Sequence, residues 1–210
     1  MRKISITEAL NELKLYDSKI NKAISTGKFT GASKKSSDKV GAIKKEEFEE
    51  KAKSSYQSVT DLIKNRNMLK SAIVKSNAIT EVTINGKVMT VAEAIERKNS
   101  IEYEVDLLNE MKRQYVSATD TVNKENKKVD NKVDELIQTL VGKETDKKID
   151  KDAIEAIESP YRQKNEWELV DPIKIFDEML KLEEEIDGFK TNCDTALVLS
   201  NATSFIEIDF

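Results

Sequence analysis

Between Ala94 and Leu140 the apolar residues recur at every third or fourth position. Following that step gives Ala94, Lys98, Ile101, Val105, Leu108, Lys112, Tyr115, Thr119, Val122, Asn126, Val129, Val133, Leu136 and Leu140. Ten of these fourteen are apolar, and the spacing is close to the 3.5-residue period of coiled coils. The pattern predicts one long helix from Val91 to about Leu140, opened by a capping box of Thr90 and Glu93. At 1.5 Å per residue it would run about 75 Å. Asn123–Asn131 is polar apart from Val129. Asn126 on the seam would set register there; the other reading ends the helix near Asp120 and restarts it near Asp130. Gly142 is the expected stop.

Shorter periodic runs flank this helix. Ser5 and Glu8 form another capping box, and Ile6, Leu10, Leu13, Ile20 and Ile24 draw one stripe, ended by Thr26-Gly27. A second helix is expected from Lys44 to Ser76, with Phe48, Ala52, Tyr56, Val59, Ile63 and Leu69 buried and Arg66 on the same face. Asp171-Pro172 reads as a helix start with an Asp cap and Pro in the first turn. Ile175, Met179, Leu182, Ile186, Phe189, Cys193 and Ala196 follow at steps of four and three. A short helix, Asp152–Ser159, is expected to break at Pro160.

Residues 81–90 carry the clear hairpin signal. Asn85-Gly86 suits a type I′ turn, in which both central residues take positive φ. A lone hairpin is marginal in water, so it needs a third strand or a helical platform. The strand-like tail from Thr203 to Phe210 is the natural third strand, from the same subunit or a neighbour. The expected fold is therefore mainly α. Long antiparallel helices in a bundle or coiled coil carry a small β-hairpin and a C-terminal strand, in an oligomer. We read residues 1–210 as a single elongated helical domain, with a mobile loop at 26–42, the hairpin at 81–90 and a connector at 143–170.

Composition narrows the chemistry. The chain has no His, which removes the commonest general base and metal ligand. Its one Cys, Cys193, lies on an apolar stripe and reads as a small core residue. With 35 basic and 39 acidic residues interspersed, a dedicated surface for extended nucleic acid is not expected. No signal peptide or bilayer-spanning run is visible, so a cytoplasmic location is expected. There is no phosphate loop, nucleophile elbow or carboxylate metal motif. The chain is therefore read as non-enzymatic, without cofactor or metal.

The N-terminal run Ser5-Ile6-Thr7-Glu8-Ala9-Leu10-Asn11-Glu12-Leu13-Lys14, with Asp17, Ile20 and Ile24, resembles the start of a group of helical proteins found in phages and prophages. Pro172–Ile208 is similar too, above all Glu184-Glu185-Ile186-Asp187, Phe189, Asp194, Leu199-Ser200-Asn201-Ala202 and Ile206-Glu207-Ile208. Asn85-Gly86, Thr90, Ala92-Glu93-Ala94-Ile95 and Arg97 resemble the uncharacterised septicolysin-like helical family. That resemblance implies subunits arranged as hexamers and no assigned catalytic residues. Loop 26–42 and connector 143–170 depart most from its pattern.

Two functions compete beyond the fold. One is a structural or assembly protein, a scaffold or virion-associated coiled coil. The other is a homo-oligomeric binding protein that, in a phage setting, sequesters a small nucleotide-type ligand of the host. Tyr161, Arg162, Lys164 and Trp167 lie within seven positions and offer a stacking ring beside two cations. The plainer reading packs Trp167 between helices and leaves Arg162 and Lys164 solvated. Arg66, Lys98 and Lys112 are further candidates, because a charge on an apolar stripe needs a partner. Loop 26–42 reads as a solvated connector, or as a basic, glycine-bearing anion loop.

Overall fold

In the computed structural model the described residues are 1–141 and 151–209, with the side chains of residues 140 and 141 excepted. The expected stop at Gly142, the stretch 143–150 and Phe210 lie outside them. The fold is mainly helical with small antiparallel strand pairs. The chain divides into two units, residues 1–100 with 188–210 and residues 101–187.

In the first unit, strand β1 (Arg2–Ser5) leads straight into helix α1 (Ile6–Thr26). Ser5 is the cap: the Glu8 amide donates to its hydroxyl (3.2 Å), and its own amide donates to Glu8 Oε2 (2.8 Å). The backbone hydrogen bond from Ser5 is the main reason the Glu8 carboxyl titrates below its usual range. Helix α2 (Lys45–Ile79) returns antiparallel to α1. Leu69 and Ile73 near its end pack with Ile6, Ala9 and Leu13 near the start of α1. Ile4 joins them with Ile206 and Ile208 of strand β6 (Phe205–Ile208) to complete the core.

Two sequence expectations change here. Tyr56 is 64% exposed and Ile63 is also exposed. The seam facing α1 is Val59, Leu62, Arg66, Leu69 and Ile73; Tyr56 and Ile63 belong to a series one residue on, about 100° round the helix. The C-terminal tail, in turn, does not extend the hairpin. It pairs antiparallel with β1 in the register Arg2↔Ile208, Lys3↔Glu207, Ile4↔Ile206 and Ser5↔Phe205. Helix α5 (Ile175–Thr203) ends one residue before the strand, and the Ile6 amide donates to the Ser204 carbonyl (2.9 Å). That bond holds the tail against the entry to α1.

The 81–90 hairpin forms as β4 (Glu81–Ile84) and β5 (Lys87–Thr90), with Asn85 and Gly86 at φ 49° and 75°. Its platform is helical: the Asn85 side chain lies directly over Gly188 of α5, and Val82 and Ile84 are buried. Between α1 and α2, β2 (Lys39–Val40) and β3 (Ile43–Lys44) make a second, shorter hairpin around Gly41 at φ 61°.

Helix α3 runs from Val91 to Val141 without a break near residues 120–130. Thr90 and Glu93 cap it reciprocally (2.7 and 3.2 Å). In the first unit its seam buries Val91 and Ala94, Arg97 lies over the Phe189 ring, and Lys98 pairs with Asp194 (2.5 Å). Cys193 is buried beside them, and that burial raises its thiol pKa, as expected of a packing residue.

In the second unit α3 buries Ile101, Leu108, Val129 and Val133. Lys112 pairs with Glu183 (2.6 Å), and Tyr115 meets Phe176 with ring centroids 6.0 Å apart. Helix α4 (Lys151–Asn165) passes through Pro160 instead of breaking there. Beyond the proline, Arg162 bonds back to Glu158 and Asn165 Nδ2 donates to the Tyr161 carbonyl, so the last turn is tied by side chains. Helix α5 starts at Ile175, later than Asp171-Pro172 suggests, because Lys174 takes φ 55°. Asp171 still acts as a cap, accepting the Ile175 amide at 2.8 Å. Among the described residues no helix is long and apolar enough to cross a membrane.

Candidate ligand-binding sites

The segment Tyr161–Trp167 lies in the second unit. Arg162 is committed internally: its Nη1 bonds Asp130 and its Nε bonds Glu158, both at 2.7 Å. These two carboxylates, Glu158 first, raise the guanidinium pKa. Tyr161 is half-buried and Lys164 exposed. Trp167 is 51% exposed, so it is not packed away between helices. Its backbone is pinned by Asn126: the Trp167 amide donates to Asn126 Oδ1 (2.7 Å), and Asn126 Nδ2 donates to the Trp167 carbonyl (2.9 Å). The polar residue in the α3 seam thus fixes the approach of a chain segment.

Beside Trp167 runs an open groove of about 520 Å³, lined by Arg113, Gln114, Ser117 and Thr121 on one side and Leu169 and Val170 on the other. Arg113 is itself forked onto Glu110 (2.7 and 2.5 Å). Hydrogen bonds from Arg113 and then Gln114 hold the Glu110 carboxyl down to about 2. The cation that lines this groove, Arg113, is therefore largely neutralised.

Arg66 belongs to the first unit, where its Nε bonds Asp17 of α1 at 2.9 Å. Its charge is thus met by a carboxylate of the neighbouring helix. Lys98 and Lys112 are paired as well.

The first unit holds a cavity of about 600 Å³ between residues 29–40 and the opening turns of α2. Phe29, Phe48 and Tyr56 give it three aromatic walls, while Lys45, Glu49 and Lys53 give it charge. Lys45 and Lys53 make no side-chain ion pair or hydrogen bond among the described residues. Gly31 closes one wall: a Cβ there would lie 2.7 Å from Val40 Cγ1 and 2.9 Å from Phe48 Cζ, closer than carbon atoms pack. Ser33 holds the loop by donating its hydroxyl to the Lys39 carbonyl (2.6 Å).

The basic side of this cavity is legible in the sequence, where loop 26–42 also reads as a basic, glycine-bearing anion loop; its aromatic wall is not, because Phe48, Ala52 and Tyr56 share one helix face and look like core. The legible signal is charge. Residues 19–53 carry ten lysines against five acidic side chains, in a chain whose formal charge is −4.

Among the described residues no cluster of three or more His, Cys, Asp or Glu side chains is placed to hold a metal ion. No family model, no curated protein and no solved structure matches the chain.

Proposed function

We propose that this chain is a non-enzymatic binding protein that assembles with copies of itself and sequesters a small anionic, nucleotide-type ligand, in the manner of a phage protein acting on a host metabolite. One observation carries the assembly: large apolar side chains stand exposed in i,i+4 pairs on helices whose inward seams are already filled. Tyr103 and Leu107 on α3, and Phe176 and Leu180 on α5, are each more than half exposed. Side chains at that spacing share one helix face, so each pair offers a patch to another helix. A hexamer is the assembly that the septicolysin-like resemblance implies.

The ligand's charge follows from the lysine surplus of residues 19–53, which draws anions toward that part of the chain. A scaffold or virion-associated role is the second reading, favoured by the unbroken α3 seam.

Sedimentation velocity over a hundredfold concentration range, with and without a panel of nucleotides, tests the proposal. A stable multimer that takes up a nucleotide supports it. A monomer indifferent to every nucleotide removes it. A multimer that ignores nucleotides but joins virion particles at fixed stoichiometry favours the scaffold.

A further inference from the structure

We infer that the cavity between residues 29–40 and α2 binds a planar aromatic ring carrying a phosphate, as in a nucleoside monophosphate. The inference rests on the sequestration reading and moves its site from Tyr161–Trp167 to the first unit.

The cavity combines the two kinds of recognition such a ligand needs, and it is large enough. About 600 Å³ falls within the roughly 300–1,000 Å³ of small-molecule pockets. Phe29 and Tyr56 line it and are themselves 43% and 64% exposed. Covering their rings with a base removes apolar area from water and adds stacking. Phe48 forms the half-buried wall behind them.

The charge is placed on one helix. Lys45 is the first residue of α2, and Lys53 lies eight residues on, about 12 Å along the axis. Two ammonium groups match the charge of a phosphate monoester near neutral pH. Among the described residues neither has an internal partner to lose, whereas Arg162 and Arg66 would have to abandon one. Glu49 sits one turn from each lysine on the same face and faces the cavity as an acceptor. It suits the hydroxyl or amino groups of a nucleoside and opposes further negative charge, which favours a monophosphate over a triphosphate.

Isothermal titration of the full chain with adenosine 5′-monophosphate tests this. The monophosphate should bind, with adenosine alone and inorganic phosphate each weaker by about tenfold or more. The double charge reversal Lys45→Glu with Lys53→Glu, at exposed positions that leave the core intact, should weaken binding by about tenfold or more. Phe29→Ala with Tyr56→Ala should do the same, both with circular dichroism unchanged. Lys164→Glu in the second unit should change nothing. Normal binding by the charge-reversed protein overturns the inference, as does a single-stranded decanucleotide that binds more tightly than the mononucleotide. Loss of binding on Trp167→Ala but not on Lys45→Glu, Lys53→Glu overturns this site and leaves the sequestration reading standing. No binding of any nucleotide removes both.

Discussion

Gly188→Ala tests the seating of the 81–90 hairpin, because two opposing effects of known size meet at that position. Gly188 lies inside helix α5, where replacing Gly by Ala ordinarily stabilises by about 0.8–1.0 kcal/mol. Here an added Cβ would lie 2.5 Å from Asn85 Cγ and 2.9 Å from its Oδ1. Carbon atoms prefer about 3.5–4.0 Å, so Asn85 must move by about 1 Å. It cannot do so freely, since it is the first turn residue at φ 49° and the neighbouring Ile84 is buried. Overpacking of this kind costs about 1–3 kcal/mol. Gly188→Ala should therefore lose up to about 2 kcal/mol net.

Asn85→Gly removes the obstructing side chain and keeps a residue suited to the type I′ turn. In that background Gly188→Ala should gain about 1 kcal/mol, the ordinary helix value. Urea unfolding of the four proteins gives the coupling directly, as about 1–3 kcal/mol between the two positions. Stabilisation by about 1 kcal/mol in both backgrounds would show that the hairpin does not rest on Gly188.

Leu69→Ala removes a fully buried side chain from the cluster that joins α1, α2, β1 and β6, so it should cost about 2–5 kcal/mol in urea unfolding and speed amide exchange in both strands. Asn126→Ala leaves the Trp167 amide and carbonyl without their partners, at about 1 kcal/mol per bond. As Trp167 is the only tryptophan, its emission should shift to the red and its iodide quenching rise. The Glu110 carboxyl is depressed from 4.5 to about 2 in the folded chain. Its stabilisation is therefore present above about pH 4.5 and is lost as pH falls toward 2. Side-chain NMR titration should find it ionised at pH 3, and Glu110→Gln should flatten the stability–pH curve in that window only.

Features written in local chemistry were legible in the sequence. Ser5/Glu8 and Thr90/Glu93 cap as reciprocal pairs, Asn85-Gly86 turns with both φ values positive, and the apolar positions of α3 face inward as far as Leu136. Each depends on residues three or four apart, where backbone geometry leaves little choice. Features that depend on distant partners were not legible. β1 is four residues long and signals itself only through Ile4; it becomes a strand because Ile206 and Ile208 arrive beside it from the far end of the chain. Tyr56 looked like core because helical spacing alone does not say which of two adjacent faces meets α1. α4 continues through Pro160 because its last turn is tied by Arg162 and Asn165 side-chain bonds.

The proposed site divides in the same way. Tyr161, Arg162, Lys164 and Trp167 are close in sequence, yet Asp130 and Glu158 claim the arginine. Phe29 and Tyr56 stand 27 positions apart and come to one cavity only because residues 29–40 lie against the opening turns of α2.

Native mass spectrometry of the protein purified from cells tests the central claim most directly, since one spectrum reports subunit number and any retained small molecule. A multimer carrying the additional mass of a nucleotide-type compound, released on collisional activation, is the predicted result. A ligand-free monomer at every concentration would contradict it.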